Sequence, residues 1–233
     1  MRNLILSAVL AGASLFGVAQ AENIEAGKQY VELSSAVPVS KPGKIEVVEL
    51  FWYGCPHCYH FEPTINPWVA KLPDDVNFVR VPAMFGGVWD LHGQMFIALQ
   101  TMGVEAKVHA AVFEAIQKDG KKLASPDEMA EFLATQGVDK DAFLKTYNSF
   151  GVKGQVANAK RLGMAYQISG VPAMVVNGKY RFDIGSSGGP EQTLDVADQL
   201  IAKERCREEQ HQQQWQVDRQ VALRHQRTRR EQQ

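Results

Sequence analysis

The chain has 233 residues, of which 45% are hydrophobic and 22% charged. That suits one or two ordinary globular domains with a sizeable core and excludes a disordered or fibrous composition. A formal net charge of −1 gives no electrostatic reason to expect nucleic acid or an anionic membrane surface as partner. Three cysteines, two of them within Cys55-Pro56-His57-Cys58, are too few for a disulfide-stapled scaffold.

The N-terminal run MRNLILSAVLAGASLFGVAQA carries Arg2, an apolar stretch from Leu4 to Val18 and the small-x-small end Ala19-Gln20-Ala21. These are the parts of a secretory signal peptide over residues 1–21, with cleavage expected after Ala21. No apolar run of membrane-spanning length follows, so the mature chain is expected to be soluble. Export places it where disulfides persist. One close pair of cysteines in a large exported domain points to redox chemistry more than to stability.

Lys44–Tyr53, KIEVVELFWY, is β-branched and aromatic, as in a buried central strand. It runs directly into the C-P-H-C motif and then YHFEPTINPWVAKL, where Phe61, Ile65, Trp68 and Val69 recur at helical spacing. Pro63 and Pro67 are expected to bend or shorten that helix. Val76–Pro82 alternates like a second strand, so the three pieces make a βαβ unit with parallel strands.

From Trp89 to about Phe150 the pattern is helical, in short segments ended by glycine. Ser125, Pro126 and Glu128 form a capping box with Glu128 reaching back, and Asp139 is a cap for the next helix. A further helix is expected over Lys153–Gln167. Strands return in PAMVVNGKYRFD, folded about Asn177-Gly178, a strong short-range hairpin signal. A last helix starts at Pro190, with Leu194, Ala197, Leu200 and Ile201 on one face. The parts are therefore 22–88 and 153–205 of one α/β domain, with a helical subdomain inserted at 89–152.

Beyond Arg205 the composition changes. Residues 206–233 hold nine Gln, six Arg and no Lys, whereas residues 22–205 hold fourteen Lys and four Arg. So polar a segment is expected to stay unordered. A non-native C-terminus, as from a shifted reading frame, explains the bias better than a functional binding tail.

The motif offers three readings: a structural clip, half of a metal site, or an electron-exchanging dithiol. Zinc wants four ligands, and only His57, His60 and the distant Cys206 could supplement the pair, so no metal is expected. A disulfide closing so tight a loop removes little chain entropy. The redox reading fits best. Joining strand to helix, the motif sets Cys55 at a helix N-terminus, where unpaired N–H groups favour a thiolate. Cys58 follows one turn along the same face and can resolve a mixed disulfide. Cys55 is thus the nucleophile and Cys58 the resolving thiol. Pro56 suits the first helical turn, and His57 can set a donor or a positive charge beside the Cys55 sulfur. Stabilising that thiolate stabilises the reduced dithiol and makes the disulfide a stronger oxidant.

FWYGCPHC, the later SGVPAMVVNGKY and the helical block between them resemble the DsbA family of periplasmic thiol oxidases, its gammaproteobacterial branch above all. The likeness spans roughly residues 22–205, and only the tail departs from it. It implies a thioredoxin-like α/β fold with an inserted helical subdomain. It also implies a Cys55–Cys58 disulfide donated to reduced exported proteins without a further cofactor. Reoxidation by a quinone-linked membrane oxidase of the DsbB type is implied too, and a monomer is expected. Val171-Pro172 read alone is a strand-leading proline. The resemblance implies a cis bond there, with the Val171 backbone free to pair with an extended substrate peptide. Glu49, inside the apolar strand, is either a strand-edge carboxylate facing water or, if buried, a proton acceptor or electrostatic modulator near Cys58, as the family pattern implies. Glu62 and His60 are expected to be solvated. Disulfide isomerisation or reduction remains an alternative, as does a peptide-binding holdase with an incidental dithiol.

Overall fold

The computed structural model describes residues 24–231, with side chains to residue 220; the proposed signal peptide lies outside the described residues. In chain order the elements are β1 (Val31–Glu32), β2 (Ile45–Phe51), α1 (Pro56–Val69), β3 (Val76–Pro82), α2 (Val88–Thr101), α3 (Glu105–Gln117), α4 (Pro126–Thr135), α5 (Lys140–Tyr147), α6 (Phe150–Ala165), β4 (Ala173–Val176), β5 (Tyr180–Asp183), α7 (Ile184–Ser187) and α8 (Pro190–Glu231). The strands form one mixed sheet in the order β1-β5-β4-β2-β3. β2 pairs with β3 in parallel, as the βαβ reading requires, and with β4 antiparallel.

Every residue of β2 is buried because the sheet is covered on both faces. Val48 and Leu50 point into a core shared with α2, α3 and α6, while Ile45 and Val47 point into a second core under α1 and α8. β4 alternates the same way, with Ala173 and Val175 on one face and Met174 and Val176 on the other. The β4–β5 turn has Asn177 and Gly178 at φ 52° and 62°, the positive values that a tight hairpin needs.

The structure departs from expectation at several points. Pro63 and Pro67 do not shorten α1, which runs through both. Both rings lie on the exposed side, where water can take the carbonyls they leave unpaired, while Phe61 and Ile65 anchor the buried side. α6 starts at Phe150, because the Ser149 hydroxyl accepts the Val152 N–H at 3.2 Å, so a boundary at 152/153 falls inside a helix. Glu128 does not close a reciprocal capping box; its carboxylate reaches further back, to the N–H groups of Leu123 (3.0 Å) and Ala124 (2.9 Å). β1 is an edge strand too short to show as a pattern in the sequence.

The largest difference is the tail. It continues α8 as helix to Glu231 instead of remaining unordered. Gln, Arg and Glu are good helix formers, and the segment contains no Gly or Pro to stop the helix. Its first turn is tied down by Arg207, which donates to the Tyr180 hydroxyl at 2.9 Å. Beyond that, residues 208–220 are exposed.

Candidate active site

β2 delivers the chain to the C-P-H-C turn, and Cys55 becomes the N-cap of α1 with an extended backbone (φ −90°, ψ 115°). Pro56 takes the first helical position, where a missing N–H costs nothing. The Cys55 sulfur accepts the Cys58 N–H at 3.3 Å, which is the helix-terminus geometry that favours a thiolate. Both cysteines are buried. Cys58 is fully enclosed, whereas Cys55 keeps 7% of its surface.

The two thiols are driven apart. The hydrogen bond from Cys58 holds Cys55 down, against the effect of burial and with help from the backbone N–H groups of Cys58 and His57, at a pKa of about 6. Cys58 is pushed well above the usual thiol range, first by burial, then by its bond to Cys55 and the charge there, with Glu49 adding to the rise. Cys55 is thus set to ionise near neutrality while Cys58 keeps its proton. His57 matters less than the sequence suggests. Its side chain is exposed, and its charge is the smallest contribution to the lowered Cys55 pKa.

At the start of β4, the neighbour of β2, the Val171–Pro172 bond is cis and the Val171 carbonyl accepts from the Cys55 thiol at 3.4 Å. Val171 and Pro172 border a cleft of about 420 Å³, together with His57, Ser169 and Ile184. The Cys55 sulfur, the Val171 backbone and a partly apolar cleft thus lie together.

Glu49 lies behind the dithiol and is completely buried, which removes the water-facing alternative. One oxygen meets Arg80 Nε at 2.9 Å and the other has no partner. Burial raises its pKa despite the guanidinium. Arg80 stands directly opposite Glu49 in the β2–β3 register and reaches Glu62 (3.4 Å) and Asn66 (2.7 Å) on α1. Glu62 in turn meets His109 Nε2 at 3.4 Å, and His109 Nδ1 lies 2.8 Å from Glu105 and 2.9 Å from the Tyr53 hydroxyl.

Glu62 is therefore not solvated as expected: it is only 8% exposed. Burial would raise its pKa, but His109, Arg80 and Asn66 together hold it below the usual carboxylate range. His60, by contrast, is exposed. Arg80 and His109 escaped the sequence reading. The one available hint was a charged residue facing Glu49 across two apolar strands, which becomes informative only once their register is known. Among the described residues, no group of three or more His, Cys, Asp or Glu side chains could hold a metal.

The family model of the DSBA-like thioredoxin domain matches residues 90–195. The thiol:disulfide interchange protein DsbA of Pseudomonas syringae pv. tomato is 72% identical over 208 residues, covering 88% of this chain and 97% of the relative. Its Burkholderia cepacia counterpart is 43% identical over 86% of this chain and 96% of its own length. The crystal structure of Pseudomonas aeruginosa DsbA superposes with a TM-score of 0.78 at 71% identity, covering 80% of this chain and 97% of that one. DsbA from Xylella fastidiosa superposes at 0.74 with 38% identity, over 78% of this chain and 98% of that one. With a thioredoxin-like α/β fold, a dithiol split into a low-pKa thiol and a protonated partner, and near-complete coverage of such relatives, the chain belongs to the DsbA family of thiol:disulfide interchange proteins.

Proposed function

We propose that the oxidised Cys55–Cys58 pair is donated to newly exported proteins in the periplasm, after residues 1–21 are removed. A substrate thiolate attacks the Cys55 sulfur, the Cys55–Cys58 bond breaks, and a mixed disulfide forms while Cys58 leaves and takes up a proton. A second substrate thiolate then attacks the substrate sulfur of that mixed disulfide. The substrate departs oxidised and Cys55 departs as a thiolate, so two electrons stay on the enzyme. The observation that carries this reading is the split of the two thiols. With a pKa of about 6, Cys55 is a good leaving group, and stabilising its thiolate favours the reduced enzyme.

In this reading Glu49 exchanges the proton that Cys58 gains and loses; its burial, its unpartnered oxygen and its effect on Cys58 support that role. The Val171 backbone beside cis-Pro172 pairs with the extended substrate. His57 is a minor thiolate stabiliser that also borders the substrate cleft. The enzyme acts as a monomer; the two-electron balance requires an oxidant to return it to the disulfide, and family membership supports a quinone-linked membrane oxidase of the DsbB type in that place. The signal-like N-terminus supports the periplasmic placement.

The test is oxidation of a reduced, unfolded substrate by the parent chain and by Cys55→Ser, with suppression of substrate aggregation measured alongside. The parent should oxidise and the variant should not. Oxidation retained by Cys55→Ser would exclude this mechanism, and aggregation suppression without oxidation by the parent would favour a holdase.

A further inference from the structure

The turn that presents Cys55 is gripped from the helical insertion through one side chain. Trp52 sits at the exit of β2, and its carbonyl accepts the Cys55 N–H at 2.9 Å, so its backbone sets the start of the dithiol turn. The indole is clamped three ways. It stacks on Trp89 of α2 with centroids 3.9 Å apart and planes 15° from parallel. It lies so close over Gly54 that a Cβ there would come within 2.2 Å of the ring. Its Nε1–H donates to His92 Nδ1 at 3.1 Å.

His92, on the same helix as Trp89, is only 2% exposed, yet both its ring nitrogens are satisfied. Since Nδ1 accepts from the indole, Nε2 must carry the hydrogen, and it lies 2.9 Å from the Lys122 carbonyl in the α3–α4 connection. The neutral ring fits this arrangement, since burial lowers the His92 pKa. An imidazolium would present a second N–H to the indole donor and break the contact. A buried histidine that merely fills space needs no such pair of aligned partners, and apolar side chains already fill the surrounding core.

The geometry points to His92 as a positioning residue for the dithiol. Held by Lys122 in a single tautomer, it fixes the Trp52 indole and hence the turn that orients Cys55. The inference rests on thiol exchange at Cys55, and it adds that the helical insertion sets the geometry of that exchange.

The decisive experiment compares parent, His92→Phe, His92→Asn, Trp52→Phe and the Trp52→Phe/His92→Phe double variant. The readouts are kcat and KM for a reduced cysteine peptide, the Cys55 thiolate titration and tryptophan emission. His92→Phe should lower kcat roughly fivefold to tenfold, the scale of one buried hydrogen bond expressed in the transition state, and should leave KM unchanged. The Cys55 titration midpoint should move with it. His92→Asn, whose side-chain oxygen replaces the Nδ1 acceptor, should stay within about twofold of the parent. Trp52→Phe should match His92→Phe, and the double variant should lose no more than either alone. A parent-like kcat and titration midpoint in His92→Phe would overturn the role even if its thermal stability fell, as would losses that add in the double variant. If His92→Phe does not fold, Trp52→Phe decides alone: reduced kcat supports the role and parental kcat defeats it. Failure of the parent to oxidise the peptide would instead overturn the exchange reaction itself.

Discussion

The lowered pKa of Cys55 makes the stability of the reduced protein depend on pH in a calculable way. The thiol titrates at about 6 in the folded dithiol, against ~8.5 when unperturbed, as in the unfolded chain. An acid whose pKa falls on folding contributes stability that is complete above its unfolded value and lost as pH drops through its folded value. The full shift corresponds to about 3.4 kcal/mol at 1.36 kcal/mol per unit. Near pH 7 only about one log unit of it is realised, or ~1.4 kcal/mol, equivalent to about 30 mV in the potential of the dithiol couple. Around pH 5 it vanishes. With 7% of Cys55 exposed, solvent screening reduces this little. The assay is urea denaturation of the reduced parent and of Cys55→Ser between about pH 5 and about pH 7.5, where the difference in unfolding free energy should grow by ~2 kcal/mol. Cys58, pushed up by burial, stays protonated in both states across that window. Other titrating groups cancel between the two proteins. A difference that stays flat with pH, or a Cys55 absorbance titration centred near ~8.5, would refute the reasoning.

Three further outcomes follow from particular contacts. Glu49→Gln should slow dithiol exchange about tenfold in stopped-flow measurements by removing the proton partner of Cys58. It should also cost about 1–3 kcal/mol of stability, because Arg80 exchanges one of its carboxylates for a neutral acceptor and keeps Glu62; unchanged exchange and an unchanged redox potential would remove Glu49 from the mechanism. Gly54→Ala would drive a Cβ to within 2.2 Å of the Trp52 indole, so denaturant unfolding should register a loss of about 1–3 kcal/mol and tryptophan emission should shift. Truncation after Arg207 removes side chains that are exposed through residue 220, so melting temperature and activity should hold while the helical circular dichroism falls. A fall in either would make the tail a working part. Intact-mass measurement of protein from the native gene shows directly whether the tail is native.

Much of the fold and part of the site are legible in the sequence because they depend on neighbours a few residues apart. The apolar run of β2, the alternation of β3, the caps at Ser125 and Asp139, the Asn177-Gly178 turn and the strand-to-helix position of Cys55 all follow from local pattern and backbone chemistry. The same locality explains the misses. The sequence marks Pro63 and Pro67 as positions where the helix could be shortened, but packing of Phe61 and Ile65 carries it through. Composition alone suggests disorder after Arg205, where propensity and the anchor at Tyr180 carry the helix on. Only the tertiary structure decides that Glu49 and Glu62 are buried around Arg80, that His109 arrives from the helical insertion, and that Val171 meets a cysteine 116 residues away in the chain. It also moves most of the thiolate stabilisation from His57 to Cys58 and the helix terminus. The physical reason is desolvation. A side chain's type and spacing are set locally, but whether water reaches it depends on segments distant in sequence, and that access fixes which groups hold their protons.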